Sequence, residues 1–150
     1  MSDESLFIDT NIVMYAVGKE HRYKSACARI ISMIADGSFH KNVGTPVTDT
    51  EVFQEILYRY ALVEKWERGI LICKHFLELG LEVLPFDSSG VERMLKLAQA
   101  YKGRGIPPRD LVHVAVMIDH GIRKIVSVDS HFDLVNEVTR ILPEDLHGDW

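Results

Sequence analysis

Short apolar strands alternate with amphipathic helices along most of this 150-residue chain. Parallel strands need long crossover connections, usually helices, so this alternation favours a parallel sheet with helices packed on its faces. We predict strands at 6–8, within 41–47, and at 81–86, 124–128 and 139–142. We predict helices at 11–17, 21–35, 48–60, 66–79, 89–100 and 109–119. The sequence therefore predicts an α/β protein with three α/β/α layers, folded as a single domain over residues 1–150.

The composition is that of an ordinary globular protein, with 47% hydrophobic and 26% charged residues. No apolar run approaches the roughly 20 residues that a membrane-spanning helix needs. The N-terminal segment MSDESLFID lacks the basic region and long apolar stretch of a signal peptide. Cys27 and Cys73 are too few and too far apart for a disulfide scaffold or a zinc site. We therefore expect a cytoplasmic protein with no membrane association.

The formal net charge of −5 disfavours a surface that binds nucleic acid over its whole extent. It permits a local basic patch beside an acidic metal site, because a bound cation reverses the local field. Lys102, Arg104 and Arg109 lie in or next to the Gly- and Pro-rich stretch YKGRGIPP at 101–108. They are our candidates for contacts with phosphate groups.

Four acidic residues stand where the predicted fold can bring them together. Asp9 and Asp129 follow the first and fourth predicted strands, and in open α/β sheets ligands collect beyond the carboxyl ends of the strands. Asp110 begins a predicted helix, and Glu55 lies in an otherwise apolar helical stretch. Carboxylates brought together repel unless divalent cations neutralise them, and oxygen ligands suit Mg²⁺ or Mn²⁺. Two such ions about 4 Å apart can activate water and stabilise the leaving oxygen in phosphodiester hydrolysis.

Each of these acids also has a purely structural explanation. Asp9 can cap the helix that follows it. Asp110 can be favoured by the helix dipole, and Asp129 can be an ordinary turn residue. Glu55 can face solvent and pair with Arg59, four residues later on the helix. Each structural explanation is sufficient for its own residue. Together they require that four acids stand at the predicted site by coincidence.

Two further patterns are assigned structural roles. The sequence TDTE at 48–51 matches a capping box, in which the Thr48 hydroxyl and the Glu51 carboxylate satisfy N–H groups at a helix start. The seven histidines show no spacing typical of metal ligands, and His113 and His120 stand seven residues apart on one predicted helix. We therefore assign the histidines structural roles and no metal site of their own.

Four stretches of the chain, taken together, resemble the PIN domain family, and in particular the VapC-type toxins of prokaryotic toxin–antitoxin systems. They are FIDTNIVMYA (7–16), VTDTEVFQEILYRY (47–60), GIPPRDLVHVAVMIDHGI (105–122) and IVSVDSHFD (125–133). They occur in the family's order and cover nearly the whole chain. The ordered set is more specific than any one of its motifs.

The resemblance implies a parallel sheet of about five strands and an endoribonuclease that depends on Mg²⁺ or Mn²⁺. It implies catalytic roles for Asp9, Glu55, Asp110 and Asp129, with metal ligands among them at Asp9, Asp110 and Asp129. It implies an RNA substrate, an antitoxin protein as partner and a homodimer.

The same resemblance gives supporting roles to four other residues, which are Thr10, Asn11, Ser127 and Asp133. Thr10 and Asn11 follow the family's pattern after the first acid, and Ser127 stands two residues before the fourth. On this hypothesis the basic residues Lys102, Arg104 and Arg109 contact RNA.

Two other functions stay open on the sequence alone. Phosphatases of the haloacid dehalogenase type also place an aspartate after a first strand, but they need a second aspartate two residues later, where this chain has Asn11. The other alternative is a PIN-like fold kept as a catalytically inactive binding module. The presence of all four acids argues against that alternative.

Overall fold

The computed structural model describes residues 4–146 of the chain. Five strands run through it: β1 Ser5–Ile8, β2 Thr45–Asp49, β3 Glu82–Leu84, β4 Lys124–Val126 and β5 Thr139–Ile141. Seven α-helices connect them: α1 Thr10–Val17, α2 Lys24–Asp36, α3 Ser38–Asn42, α4 Thr50–Leu62, α5 Trp66–Glu78, α6 Ser88–Tyr101 and α7 Pro108–Asp119. Short 3₁₀ helices follow at Ser130–Leu134 and Pro143–Asp145.

The strands form one parallel sheet in the order β3-β2-β1-β4-β5. The chain moves outward from β1 to β3, returns to the other side of β1, and then moves outward again. Because parallel crossovers are right-handed, this reversal puts α1–α5 on one face and α6–α7 on the other. The helix contacts agree, since α1 packs on α2 and α4, α4 on α5, and α6 on α7. The predicted three-layer α/β/α architecture is confirmed.

The core lies on both faces of the sheet. Phe7, Ile8, Val47, Ile125 and Val126 are almost completely buried. Continuous apolar strands of this kind are expected where helices cover both sides of a parallel sheet. Ligands of such sheets gather where the strand order reverses, which here is the crevice between β1 and β4.

Helix α4 begins differently from the prediction at 48–51. Strand β2 continues through Asp49, which pairs with Leu84 of β3, and the Asp49 carboxylate accepts hydrogen bonds from the backbone N–H groups of Glu51 and Val52. Thr48 instead donates its hydroxyl to the carbonyl of Ile8, at 3.2 Å. The capping box on Thr48 was wrong because sheet pairing carries the strand one residue further.

Two other local predictions need correction. Strand β4 ends at Val126, so Asp129 lies beyond it, at the start of the 3₁₀ helix Ser130–Leu134. Helix α3 was not predicted, because its five residues are too short for a helical period to be visible.

Both cysteines are free. None of the described helices is long and apolar enough to cross a membrane.

Candidate active site and metal centre

Asp9 lies at the carboxyl end of β1 and is 5% exposed. Its Oδ1 accepts a hydrogen bond from the backbone N–H of Thr10, at 2.8 Å, so it does cap α1. Its Oδ2 accepts from the Ser127 hydroxyl at 2.6 Å and from the Asn11 amide at 3.1 Å. The cap therefore occupies only one oxygen, while the other is held by Asn11 at the start of α1 and by Ser127, the residue that follows β4.

Asn11 and Ser127 join the ends of these two neighbouring strands. The Asn11 amide also donates to the Ser127 hydroxyl oxygen at 3.0 Å, and its carbonyl oxygen accepts from the N–H of Val128 at 3.3 Å. The Ser127 hydroxyl oxygen accepts from the N–H of Asp129 at 3.0 Å. These bonds fix the turn that carries Asp129 relative to Asp9.

Burial raises the pKa of Asp9 to about 6, from an ordinary 3.8. The charge of His113 and the hydrogen bond from Ser127 oppose this rise, while Asp110 and Glu55 add to it by repulsion. Asp9 therefore lies within electrostatic reach of both these acids. It is a carboxylate at neutral pH whose charge is costly until a cation approaches.

Asp110, Asp129 and His131 form a group whose potential ligand atoms all lie within 4.8 Å of one another. The His131 Nδ1 is 3.2 Å from Asp110 Oδ2 and 2.9 Å from Asp129 Oδ1. Asp110 lies in the first turn of α7, and burial together with the charge of Asp129 raises its pKa. Two carboxylates and an imidazole are suitable ligands for a divalent transition-metal ion such as Mn²⁺.

This group differs from the predicted ligand set. It contains Asp110 and Asp129 but adds His131, and it does not include Asp9. The spacing of the histidines did not predict a ligand at this position, and the ring of His131 is the addition that the structure makes to the candidate set. His131 enters because the 3₁₀ helix turns its ring back toward α7, which spacing along the chain does not reveal.

A second network lies beneath the first and is almost completely buried. The ring of His113, from α7, is 0% exposed and packs against Phe7. Its Nδ1 is 2.7 Å from Asp49 Oδ2, and its Nε2 is 2.5 Å from Glu55 Oε1. Ionised carboxylates only accept hydrogen bonds, so a ring held by two of them donates from both nitrogens. His113 is therefore an imidazolium.

The pKa values in this network agree with that charge. Burial alone would lower the pKa of His113, but the bonds from Asp49 and Glu55 raise it well above the ordinary 6.5. Burial alone would raise the pKa of Glu55, but the bond and charge of His113 hold it below its usual value. Glu55 is thus kept ionised in a buried position, and it bonds to His113 rather than simply pairing with Arg59.

The Thr10 hydroxyl is the one buried side-chain polar atom without a hydrogen-bond partner among residues 4–146. It lies near the Glu55 carboxylate, and a weak hydrogen-bonding interaction from the Thr10 side chain helps to lower the pKa of Glu55. Buried polar groups are nearly always satisfied by protein, water or an ion. A buried hydroxyl beside Glu55 without a hydrogen bond of ordinary length can donate one to, or accept one from, a further polar group.

The remaining predicted residues lie further from these networks. Asp133 forms a bidentate ion pair with Arg140, at 2.9 and 2.8 Å, which lowers its pKa. The Arg140 guanidinium also approaches the carbonyl oxygen of Ser127, at 3.5 Å. Asp133 thus holds an arginine that contacts the site, and it lies outside the 4.8 Å ligand group.

The three predicted phosphate contacts are all exposed. Arg109 lines a cleft of about 330 Å³ together with Glu55. Its positive charge partly opposes the rise in the pKa of Asp110. The guanidinium of Arg104 lies 5.6 Å from the ring centre of Tyr101. Arg109 is therefore the best placed of the three to meet a ligand at the acidic site, ahead of Arg104 and Lys102.

Sequence reasoning missed Asp49, His113 and His131. Asp49 carried the same signal as Asp9, an aspartate at the end of an apolar strand, but the neighbouring capping box concealed it. His113 is a histidine amid the apolar residues of DLVHVAV, which indicates burial without identifying a partner.

The family model described as PIN domain matches residues 6–138. VapC ribonuclease Mb1869c from Mycobacterium bovis and ribonuclease VapC13 from Mycobacterium tuberculosis are each 31% identical to this chain over 136 residues, which is 91% of this chain and 98% of each relative. Among solved structures, VapBC2 from Rickettsia felis, bound to a DNA fragment from its promoter, aligns with a TM-score of 0.70 at 19% identity. That alignment covers 92% of this chain and 98% of the other.

Proposed function

This chain belongs to the PIN domain family, and we propose on that premise that it is a metal-dependent endoribonuclease, the toxin of a toxin–antitoxin pair. The proposal includes one domain as the working unit and the cytoplasm as its place of action. The observation that carries it is the group of Asp110, Asp129 and His131, which lies at the carboxyl edge of the sheet beside the buried carboxylate of Asp9.

The residues of the site fit a divalent cation. The carboxylates of Asp110 and Asp129 repel one another, so a bound cation would relieve their repulsion. The buried Thr10 hydroxyl lies close to the carboxylate of Glu55. Asp110, Asp129 and His131 would hold Mg²⁺ or Mn²⁺, with Asp9 close enough to interact by charge. When bound, such an ion neutralises the carboxylates, polarises the phosphate group and lowers the pKa of water.

The chain's own groups can position the water, the ligands and the phosphate for phosphodiester hydrolysis. His113 occupies Oε1 of Glu55 and keeps the carboxylate ionised, so its other oxygen can accept a hydrogen bond from the attacking water and orient it. Ser127 and Asn11 hold Asp9 in place. Arg109, exposed beside Asp110, can contact a phosphate of the RNA.

Removal of divalent cations with EDTA is expected to abolish RNA cleavage, and added Mn²⁺ or Mg²⁺ is expected to restore it. The reason is that the clustered carboxylates bind a polyanionic phosphodiester only after their charge has been neutralised. Cleavage of a labelled single-stranded RNA, followed on a denaturing gel with and without each ion, measures this. Full cleavage by the metal-free protein would contradict the proposal.

His131→Asn is expected to weaken Mn²⁺ binding by about tenfold or more, because changes around metal ligands commonly have effects of this size. Isothermal titration of the purified protein with Mn²⁺ measures the change without any need for activity. His40→Asn, an exposed histidine on α3, is the matched control. Equal Mn²⁺ affinity in both variants would remove His131 from the ligand set.

The proposed protein partner is an antitoxin, and the proposed assembly of the toxin is a homodimer. Several large apolar side chains are exposed around the junction of α4 and α5, namely Tyr58, Leu62, Val63 and Trp66. Exposed apolar residues in a group are typical of protein–protein contacts. Light scattering on the chain alone, and on the chain coexpressed with the product of an adjacent reading frame, tests both assemblies.

Family membership removes the phosphatase alternative. Residue 11 agrees, because that class of phosphatase needs an aspartate there, whereas this chain has an asparagine whose amide donates a hydrogen bond to Asp9. An inactive binding module remains the second candidate. Titration with Mn²⁺ separates it from the nuclease, since a module without a working site takes up no stoichiometric ion.

A further inference from the structure

A cleft of about 650 Å³ opens directly beside the acidic site. Asn11 and Asp129 form part of its wall, so the cleft and the site are continuous. Tyr15, Lys19 and His21 line it as well, at the end of α1 and in the loop that leads to α2. A volume of this size is typical of a small-ligand site and accommodates a nucleotide.

Three aromatic rings gather along this part of the chain. The rings of Tyr15 and His21 lie with centroids 4.6 Å apart and planes tilted by 33°. Tyr23 lies behind them, 5.4 Å from each ring, and the Arg22 guanidinium sits 4.6 Å from the Tyr23 ring centre. Tyr15 packs partly against the core and is half-buried, and His21 is exposed. Exposed aromatic surface of this kind is what an unpaired nucleobase stacks on.

The loop that carries His21 is held by hydrogen bonds. The Lys24 ammonium group donates to the carbonyl of Gly18. The Arg68 guanidinium donates to the carbonyl of Val17 at 3.1 Å. The backbone N–H of Tyr23 donates to His21 Nδ1 at 3.3 Å, which orients that ring. The aromatic surface therefore exists before any ligand arrives, which reduces the entropy lost on binding.

The charges of the cleft favour a nucleic acid strand. Lys19 and Arg59 present cations, while Glu20 and Asp129 are the carboxylates in its lining. Asp129 belongs to the candidate metal ligands, so ion binding neutralises it and leaves the cations in excess. Cations beside stacking rings are the combination by which proteins hold single strands, the cations meeting phosphates and the rings meeting bases.

We propose that this cleft is the subsite for a nucleotide of single-stranded RNA adjacent to the scissile phosphate. Its base stacks on Tyr15 and His21, and Lys19 and Arg59 contact the flanking phosphates. The inference rests on the proposed endoribonuclease function and extends it, because this subsite sets which nucleotide lies beside the cleavage position.

Tyr15→Leu is expected to raise KM for a single-stranded RNA decamer about tenfold, because one base–aromatic stack has an effect of roughly this size. The change should leave kcat within about twofold, since Tyr15 is not one of the proposed catalytic or metal-binding residues. Tyr15→Phe keeps the ring and is expected to restore the KM of the unaltered chain. Lys19→Gln should also raise KM, whereas Lys74→Gln, an exposed lysine on α5, should not.

Binding is measured separately from cleavage, with fluorescein-labelled rA, rC, rG and rU decamers, a duplex RNA and an acidic peptide, all with Ca²⁺ in place of Mg²⁺ or Mn²⁺, so that the carboxylates are neutralised by an ion of different coordination geometry. The inference predicts binding of the single strands that Tyr15→Leu weakens and Tyr15→Phe preserves. Cleavage with normal KM in Tyr15→Leu would overturn the inference and leave the nuclease proposal intact. Tyr15-dependent binding without any cleavage would support the subsite and contradict the nuclease proposal. Binding of the peptide alone would overturn the inference in favour of a protein ligand.

Discussion

Asp110→Asn is expected to lower RNA cleavage by at least about 100-fold, because even changes to groups that surround metal ligands can have effects of this size. The substitution keeps the shape of the side chain but removes the charge that would hold a cation with Asp129 and His131. The initial rate of cleavage of a labelled single-stranded RNA at saturating Mn²⁺ measures the loss.

The same variant is expected to be more stable than the unaltered protein near neutral pH without metal. Burial and the charge of Asp129 raise the pKa of Asp110 in the folded chain, so its ionisation costs stability as pH rises above the ordinary 3.8. Asparagine removes this cost. The gain in unfolding temperature should disappear in acid, where Asp110 is already neutral, and the rise in unfolding temperature caused by Mn²⁺ should be lost.

Glu92→Gln, an exposed acid on α6, is the control for both measurements and should alter neither. A less stable Asp110→Asn that also lost activity would indicate a structural role for the carboxylate. An active Asp110→Asn that still binds Mn²⁺ would contradict the assignment of the site.

The parts of this site that the sequence predicts are those fixed by local geometry. Asp9 follows a strand whose apolar residues define its end, so the sheet edge on which it lies can be predicted from Leu6, Phe7 and Ile8 alone. The alternative role of Asp9 as a helix cap could be predicted just as locally. The structure contains the capping hydrogen bond, from the Thr10 N–H to the Asp9 carboxylate.

The parts that the sequence does not predict depend on contacts between distant segments. His113 meets partners 64 and 58 residues away, and nothing near it in the chain specifies an imidazolium. His131 reaches Asp110 across 21 residues because strand β4 ends early and a 3₁₀ helix follows. The alternation of strands and helices fixes which edge holds the site, but side-chain partners depend on packing that the periodicity leaves open.

His113→Leu is expected to lower the free energy of unfolding by about 3–5 kcal/mol, the usual effect of removing one partner from a buried ionic network. Leucine fills similar space but leaves Asp49 and Glu55 without the ring that each now bonds. Urea unfolding measures the loss. His120→Leu makes the same change at an exposed position on the end of α7, and should alter stability by less than about 1 kcal/mol.

The pH dependence separates this electrostatic role from simple packing. The pKa of His113 is raised by folding, so the stability it contributes is fully present below pH 6.5 and is lost as pH rises through the higher folded value. The difference between the unaltered protein and His113→Leu should therefore shrink as urea unfolding is repeated above pH 6.5. A packing defect alone would give the same difference at every pH. If His113→Leu does not fold, Asp49→Asn weakens the network while an asparagine still caps α4, and its smaller loss should follow the same trend.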